Sequence, residues 1–227
     1  MTTLVLGANG PLGLACVRSV LAAGAPVIAA VQAPHRLPPA IADLREEHAA
    51  GQLETFTWQA GRWPTLTGVS RVVVAELPIP PAQSDEPDDP TSLLRQLGPD
   101  QALHDVRALI PPTLAALQLV ATIQPARVLV QASWLGSVEE KIRGGGYASA
   151  VGYAAHLMLV RAAALDLCRA GAAVVIGNAG RYKLDMAGPG FHAEVDEVAR
   201  GLLAVLDGAV PGAEPEFRDW RGTLRRW

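Results

Sequence analysis

Lysine is nearly missing from this chain of 227 residues: Lys141 and Lys183 are the only two. Cysteine is as scarce. Cys16 and Cys168 both fall in helix-like segments, which excludes a disulfide framework and leaves two ordinary buried thiols. No apolar run reaches the roughly 18 residues of a membrane span, and no membrane partner is expected. The first residues enter a strand pattern directly, with no basic stretch, apolar stretch and cleavage site, so no leader is expected. A net charge of -3 argues against nucleic acid or anionic lipid as the main partner. His35, His48, His104 and His192 show no metal-ligand spacing, so no metal site is expected. What is abundant is apolar: 50% hydrophobic residues, enough for one sizeable core and a chain short for two domains. The composition reads as a soluble, cytoplasmic, single-domain protein spanning 1–227.

Strand-like and helix-like segments alternate from the start. Thr3 to Leu6, Pro26 to Val31, Leu53 to Thr57, Arg71 to Ala75, Arg127 to Ala132 and Ala173 to Gly177 read as strands, and Glu216 to Trp220 as a short seventh. Helices are expected over Leu12 to Ala23, Ile41 to Ala50, Asp100 to Ile123, Tyr147 to Ala170 and Val195 to Leu206. Gly24, Gly51 and Gly171 stand as stops. The pair Pro111-Pro112 predicts a break, a kink or a helix start. Leu77 to Pro99, with its prolines and the acids Asp85, Glu86, Asp88 and Asp89, reads as a solvated loop or a loop with one helical turn. A flap is expected near Lys183 to Phe191, over the active-site edge. Such alternation implies parallel strands joined by right-handed crossovers, with helices on both faces: a three-layer α/β/α, doubly wound sheet.

Between the first strand and the first helix stands Leu4-Val5-Leu6-Gly7-Ala8-Asn9-Gly10-Pro11-Leu12-Gly13. A dinucleotide site needs glycines at this spacing. The chain must turn sharply, a pyrophosphate must approach the backbone, and the helix must pack closely on the sheet. The helix N-terminus then offers N–H groups and partial positive charge to the phosphates. Gly7, Asn9, Gly10, Pro11, Leu12 and Gly13 are therefore the candidate cofactor-binding residues of a Rossmann fold.

With this turn the chain resembles the short-chain dehydrogenase/reductase superfamily. The resemblance extends to Leu21 to Val27 (LAAGAPV), to Arg127 to Gly136 (RVLVQASWLG) with its S-x-x-G ending, and to Glu194 to Leu206 (EVDEVARGLLAVL). It implies hydride transfer between a nicotinamide and a carbonyl or alcohol. It carries the catalytic serine to Ser133 and the tyrosine to Tyr147, at the start of a long helix. The superfamily's lysine, four residues later on the same helix face, falls on Val151, or on Leu157 if Tyr153 is used instead. Its asparagine falls on Arg107. The adenine-side aspartate and the N-A-G ending of the fourth strand are replaced by Trp58-Gln59-Ala60 and Ala75-Glu76-Leu77. The sixth strand ends Asn178-Ala179-Gly180, where P-G is frequent. The end of the second strand carries no acid to select NAD. Arg36, with His35, suits the 2′-phosphate of NADP, and NAD stays open.

The missing ammonium has a chemical consequence. A free phenol has a pKa of about 10, and a nearby cation lets it ionise near neutral pH. Without one, the tyrosine is a proton donor and a poor base, which favours reduction over oxidation, with Ser133 sharing the developing oxyanion. Arg107 would bind a carboxylate or phosphate through its planar fork, or face solvent. Tyr153 and His156 are expected as a surface pair on one helix face.

Three readings stay open: an NADP-dependent reductase of a small carbonyl compound; a non-redox cyclase, isomerase or dehydratase; and a cofactor-sensing binding protein. The helix from Tyr147 is apolar around most of its girth, which leads to an expected homodimer. Phe217 to Trp227 is expected either to pack on the partner subunit or to fray.

Overall fold

Continuous runs of Val, Ile, Leu and Ala, without polar alternation, belong to strands covered on both faces. In the computed structural model, which describes residues 1–75, 91–180, 182–183 and 193–227, such runs form the centre of one sheet. Its strands are β1 (Thr2–Leu6), β2 (Val27–Gln32), β3 (Leu53–Trp58), β4 (Val69–Val74), β5 (Arg127–Ala132), β6 (Ala173–Asn178) and, after two short strands, β9 (Glu216–Asp219). The order is β3-β2-β1-β4-β5-β6-β9, parallel throughout. β5 and β6 are buried along nearly their whole length, whereas the edge strands β3 and β9 alternate with polar residues.

Side chains alternate across the sheet and meet helices on each side. Leu4, Leu6, Val128 and Val130 face α5 (His104–Ile123) and α6 (Tyr147–Arg169). Val5, Leu129 and Val175 face α1 (Pro11–Ala22), α2 (Ala40–Glu47) and α7 (Val195–Asp207). This is the expected three-layer doubly wound fold. The order reverses between β1 and β4, and in such sheets ligands bind beyond the strand C-termini at that reversal. The turn after β1 lies there.

Several boundaries differ from expectation. The break foreseen at Pro111-Pro112 falls instead at Leu103, between α4 (Pro99–Ala102) and α5, and α5 runs through both prolines. The carbonyls that lose their N–H partners belong to Arg107 and Ala108, on the exposed side of α5, open to solvent. α2 stops at Glu47 because the His48 ring bonds the Leu44 carbonyl at 2.8 Å. Within the expected loop Leu77 to Pro99, residues 77–90 lie outside the described residues; beyond them stands α3 (Ser92–Gln96). Of the expected flap, only Lys183 is described. It ends β7 (Tyr182–Lys183), which pairs with β8 (Ala193–Glu194).

The segment after β9 is held on its own chain. Arg225 N–H donates to the Phe217 carbonyl at 2.7 Å, and the Trp227 ring packs on Phe217 at 5.6 Å. Both cysteines are free and buried, and burial pushes the Cys16 thiol up to about 12.

Candidate active site

The turn after β1 shows why its glycines stand where they do. Gly7 has φ +83°, a region costly for other residues. A Cβ on Gly13 would lie 2.1 Å from the Gly7 carbonyl oxygen, so only glycine lets α1 begin this close to the strand. Gly10 N–H donates to Gly7 O at 3.0 Å and closes the turn. Gly10 carries no side-chain cap, Pro11 opens the helix, and the first turn has no acid. The N–H groups of Leu12 and Gly13 therefore meet no side-chain cap and no competing negative charge, which fits a phosphate. Asn9 and Pro11 are exposed at the rim. Arg36 is exposed beyond the end of β2. A depression of about 540 Å³, lined by Arg45, His48, Gly51 and Thr55 among others, sits where β3 begins, at the opposite edge of the sheet.

Ser133 follows β5 directly and caps a short 3₁₀ turn, Trp134–Gly136, its Oγ accepting from Leu135 N–H at 3.2 Å. Gly136 permits the turn to rest on α6: a Cβ there would lie 2.2 Å from the Tyr153 carbonyl oxygen. Tyr147 is the first residue of α6 and half-buried. Ser133 and Tyr147 thus stand at the two ends of the connection between β5 and α6, on the same edge as the glycine turn. Val151, one helical turn after Tyr147 and on the same side, is 46% exposed. The Lys141 ammonium donates to the Gly145 carbonyl at 3.0 Å within the same connection. Arg107 lies elsewhere, on the solvent side of α5, where its guanidinium bonds Asp100 at 3.0 Å and both side chains are largely exposed.

Tyr153 and His156 are not the expected surface pair, for both are buried. The cause is the packing of α6 on α5: a Cβ on Gly152 would lie 2.4 Å from Asp105 Cβ, so this face of α6 is pressed inward. Burial, and then the Asp105 charge, raises the Tyr153 phenol well above its ordinary value. Burial lowers His156 to about 4, and its Nδ1 has no hydrogen-bond partner among the described residues. These two residues are core groups; the signal that placed them there was a glycine inside an apolar helix.

No protein-family model matches the chain. The C-signal protein of Myxococcus xanthus, itself related to the short-chain dehydrogenase/reductases, is 33% identical over 124 residues, covering 54% of this chain and 75% of that protein. The chain belongs to the short-chain dehydrogenase/reductase superfamily. The fold agrees with solved members over the full chain. A short-chain dehydrogenase/reductase from Burkholderia multivorans with bound NADP superposes with TM-score 0.76 at 22% identity, covering 100% of this chain and 99% of that one. The NADPH-bound carbonyl reductase from chicken fatty liver gives 0.75 at 19% identity, covering 100% and 98%. At such identities the likeness speaks for the short-chain dehydrogenase/reductase fold, and the chemistry must be argued from the site.

Proposed function

We propose that the protein is an NADP-dependent reductase of a small carbonyl compound, working with an altered proton-donor site. The observation that carries this is the turn Gly7–Gly13, closed on itself and followed by a helix start with no side-chain cap. Solved relatives with the same fold hold NADP or NADPH, which supports the same cofactor here. Gly7, Asn9, Gly10, Pro11, Leu12 and Gly13 would cradle the pyrophosphate. Arg36, exposed and with no acid beside it at the end of β2, would take the 2′-phosphate. Bound there, the cofactor supplies hydride. Tyr147 donates a proton to the substrate oxygen, and the Ser133 hydroxyl steadies the charge that grows on it. With Val151 in place of an ammonium, the phenol serves reduction better than oxidation. To hold a substrate carboxylate, Arg107 would have to leave Asp100.

The same substitution supports a second reading, a non-redox enzyme in which Ser133 and Tyr147 polarise a substrate without hydride transfer. We further propose a soluble, cytoplasmic homodimer built on α5 and α6, and a single domain over 1–227.

Calorimetric titration with NADPH, NADH and their oxidised forms tests the cofactor claim. NADPH is expected to bind more tightly than NADH, and Gly13→Ala to weaken NADPH at least about tenfold, because the added methyl forces α1 off the turn. Absence of binding by any form at millimolar concentration would sink the reductase reading. Reduction of ketones faster than oxidation of alcohols near neutral pH is the expected direction.

A further inference from the structure

The connection from Ser133 to Tyr147 has no regular element after Gly136, and it ends in three successive glycines, of which Gly145 and Gly146 have positive φ. Such a stretch is poorly held by its own backbone. Its middle is held from elsewhere in the chain. Ser137 is buried, and its Oγ accepts from Glu140 N–H at 3.1 Å. Glu139 N–H donates to the Trp227 carbonyl at 3.1 Å. The Glu140 carboxylate receives Arg226 N–H at 3.1 Å on one oxygen and the Arg225 guanidinium on the other. That pair is 19% and 29% exposed, so it is shielded from water more than an ordinary surface pair. Residues 225–227 are themselves fixed to the edge strand by Arg225 N–H on Phe217 O, and to α6 by the Arg161 guanidinium stacked 4.2 Å from the Trp227 ring centre.

We infer that Glu140 is a positioning residue: through Arg225 and Arg226 it clamps the middle of the Ser133–Tyr147 connection to β9 and α6, and so sets where the serine and the tyrosine stand relative to each other. The inference rests on the reductase reading for its effect on rate, and on the contacts alone for its effect on the backbone. Reacting groups displaced by about 1 Å cost on the order of a hundredfold in rate, and Glu140 stands midway along the connection that joins the two.

The test compares Glu140→Gln, Glu140→Asp and Trp227→Ala with Arg169→Ala, which breaks an exposed pair with Asp166. Hydrogen exchange over residues 137–146 is expected to quicken about tenfold or more in Glu140→Gln, since the local opening loses its charged tie. With a carbonyl substrate, kcat is expected to fall about ten- to a hundredfold, while the NADPH dissociation constant stays within about twofold. Glu140→Asp should recover part of the rate, and Trp227→Ala, which removes the ring that seats residues 225–227, should repeat the Glu140→Gln pattern. Arg169→Ala should change neither. Unchanged exchange in both Glu140→Gln and Trp227→Ala would overturn the clamp, and faster exchange with an unaltered kcat would overturn its positioning role. Absence of turnover in the unmodified protein would count against the reductase reading, and the clamp would then stand or fall on the exchange rates.

Discussion

Val151 is the position to which the resemblance carries the superfamily's lysine, and it stands one turn beyond Tyr147 with almost half of its surface open. A lysine there would bring an ammonium to the side of the helix that carries the phenol, without displacing packed neighbours. Val151→Lys is expected to speed alcohol oxidation about tenfold or more near neutral pH, since a cation favours the phenolate. The measurement is initial rates in both directions across pH, and no gain would mean that Tyr147 does not work as the acid. His156 makes a second prediction at this scale. Its folded pKa of about 4 lies below the ordinary 6.5, so the unfolded chain takes up the proton first as pH falls. The stability it contributes is complete above about pH 6.5 and is lost as pH drops toward 4, amounting to about 3 kcal/mol at most. Denaturation series at stepped pH should show that His156→Leu flattens this window relative to the parent chain.

Between helices, contact is set by glycines that leave no room for a methyl. Gly152→Ala gains about 1 kcal/mol of helix propensity, but its Cβ would meet Asp105 Cβ at 2.4 Å and the Asp105 backbone at 3.0 Å. Overpacking of this kind costs about 1–3 kcal/mol or more, so a net loss is expected in urea denaturation, whereas Gly144→Ala, with nothing within 4 Å, should be close to neutral. Elements of this kind were largely legible beforehand. β5 at Arg127–Ala132 and the start of α6 at Tyr147 are legible in the sequence, because apolar runs bounded by glycine and turn residues have one solution in an alternating chain. Pro111-Pro112 misled, since local propensity cannot say that the freed carbonyls face water. Tyr153 and His156 misled because which face of an apolar helix turns inward depends on α5. The tie between Glu140 and Arg225 had no sequence signal at all: a carboxylate and a guanidinium far apart in the chain carry no period and no motif.

The whole molecule leaves apolar surface open on the two helices that cover one side of the sheet: Leu114 on α5 is 42% exposed and Met158 on α6 is 64%. The stretch Pro99–Ile123, which takes in α4 and α5, and α6 are long and apolar enough to cross a membrane by length and composition, yet α5 and α6 pack against the strands. The proposed homodimer would bury this surface, so sedimentation should find twice 23.8 kDa for the parent chain, and Leu114→Glu with Met158→Glu should shift it to 23.8 kDa. A single mass for both would remove α5 and α6 as the interface. The strand order also dictates a history. β1 must await β4, and β6 must await β9, so most of the sheet pairs residues distant along the chain, which slows folding. During synthesis, the glycine turn, Ser133 and Tyr147 all emerge from the ribosome before residues 216–227, on which the Glu140 clamp depends. A nascent chain arrested short of that point would already carry the glycine turn while the Ser133–Tyr147 connection was still unmoored. On the proposed function, cofactor capture would then precede catalytic competence, and arrested chains assayed for NADPH binding and for turnover would show the two arriving at different lengths.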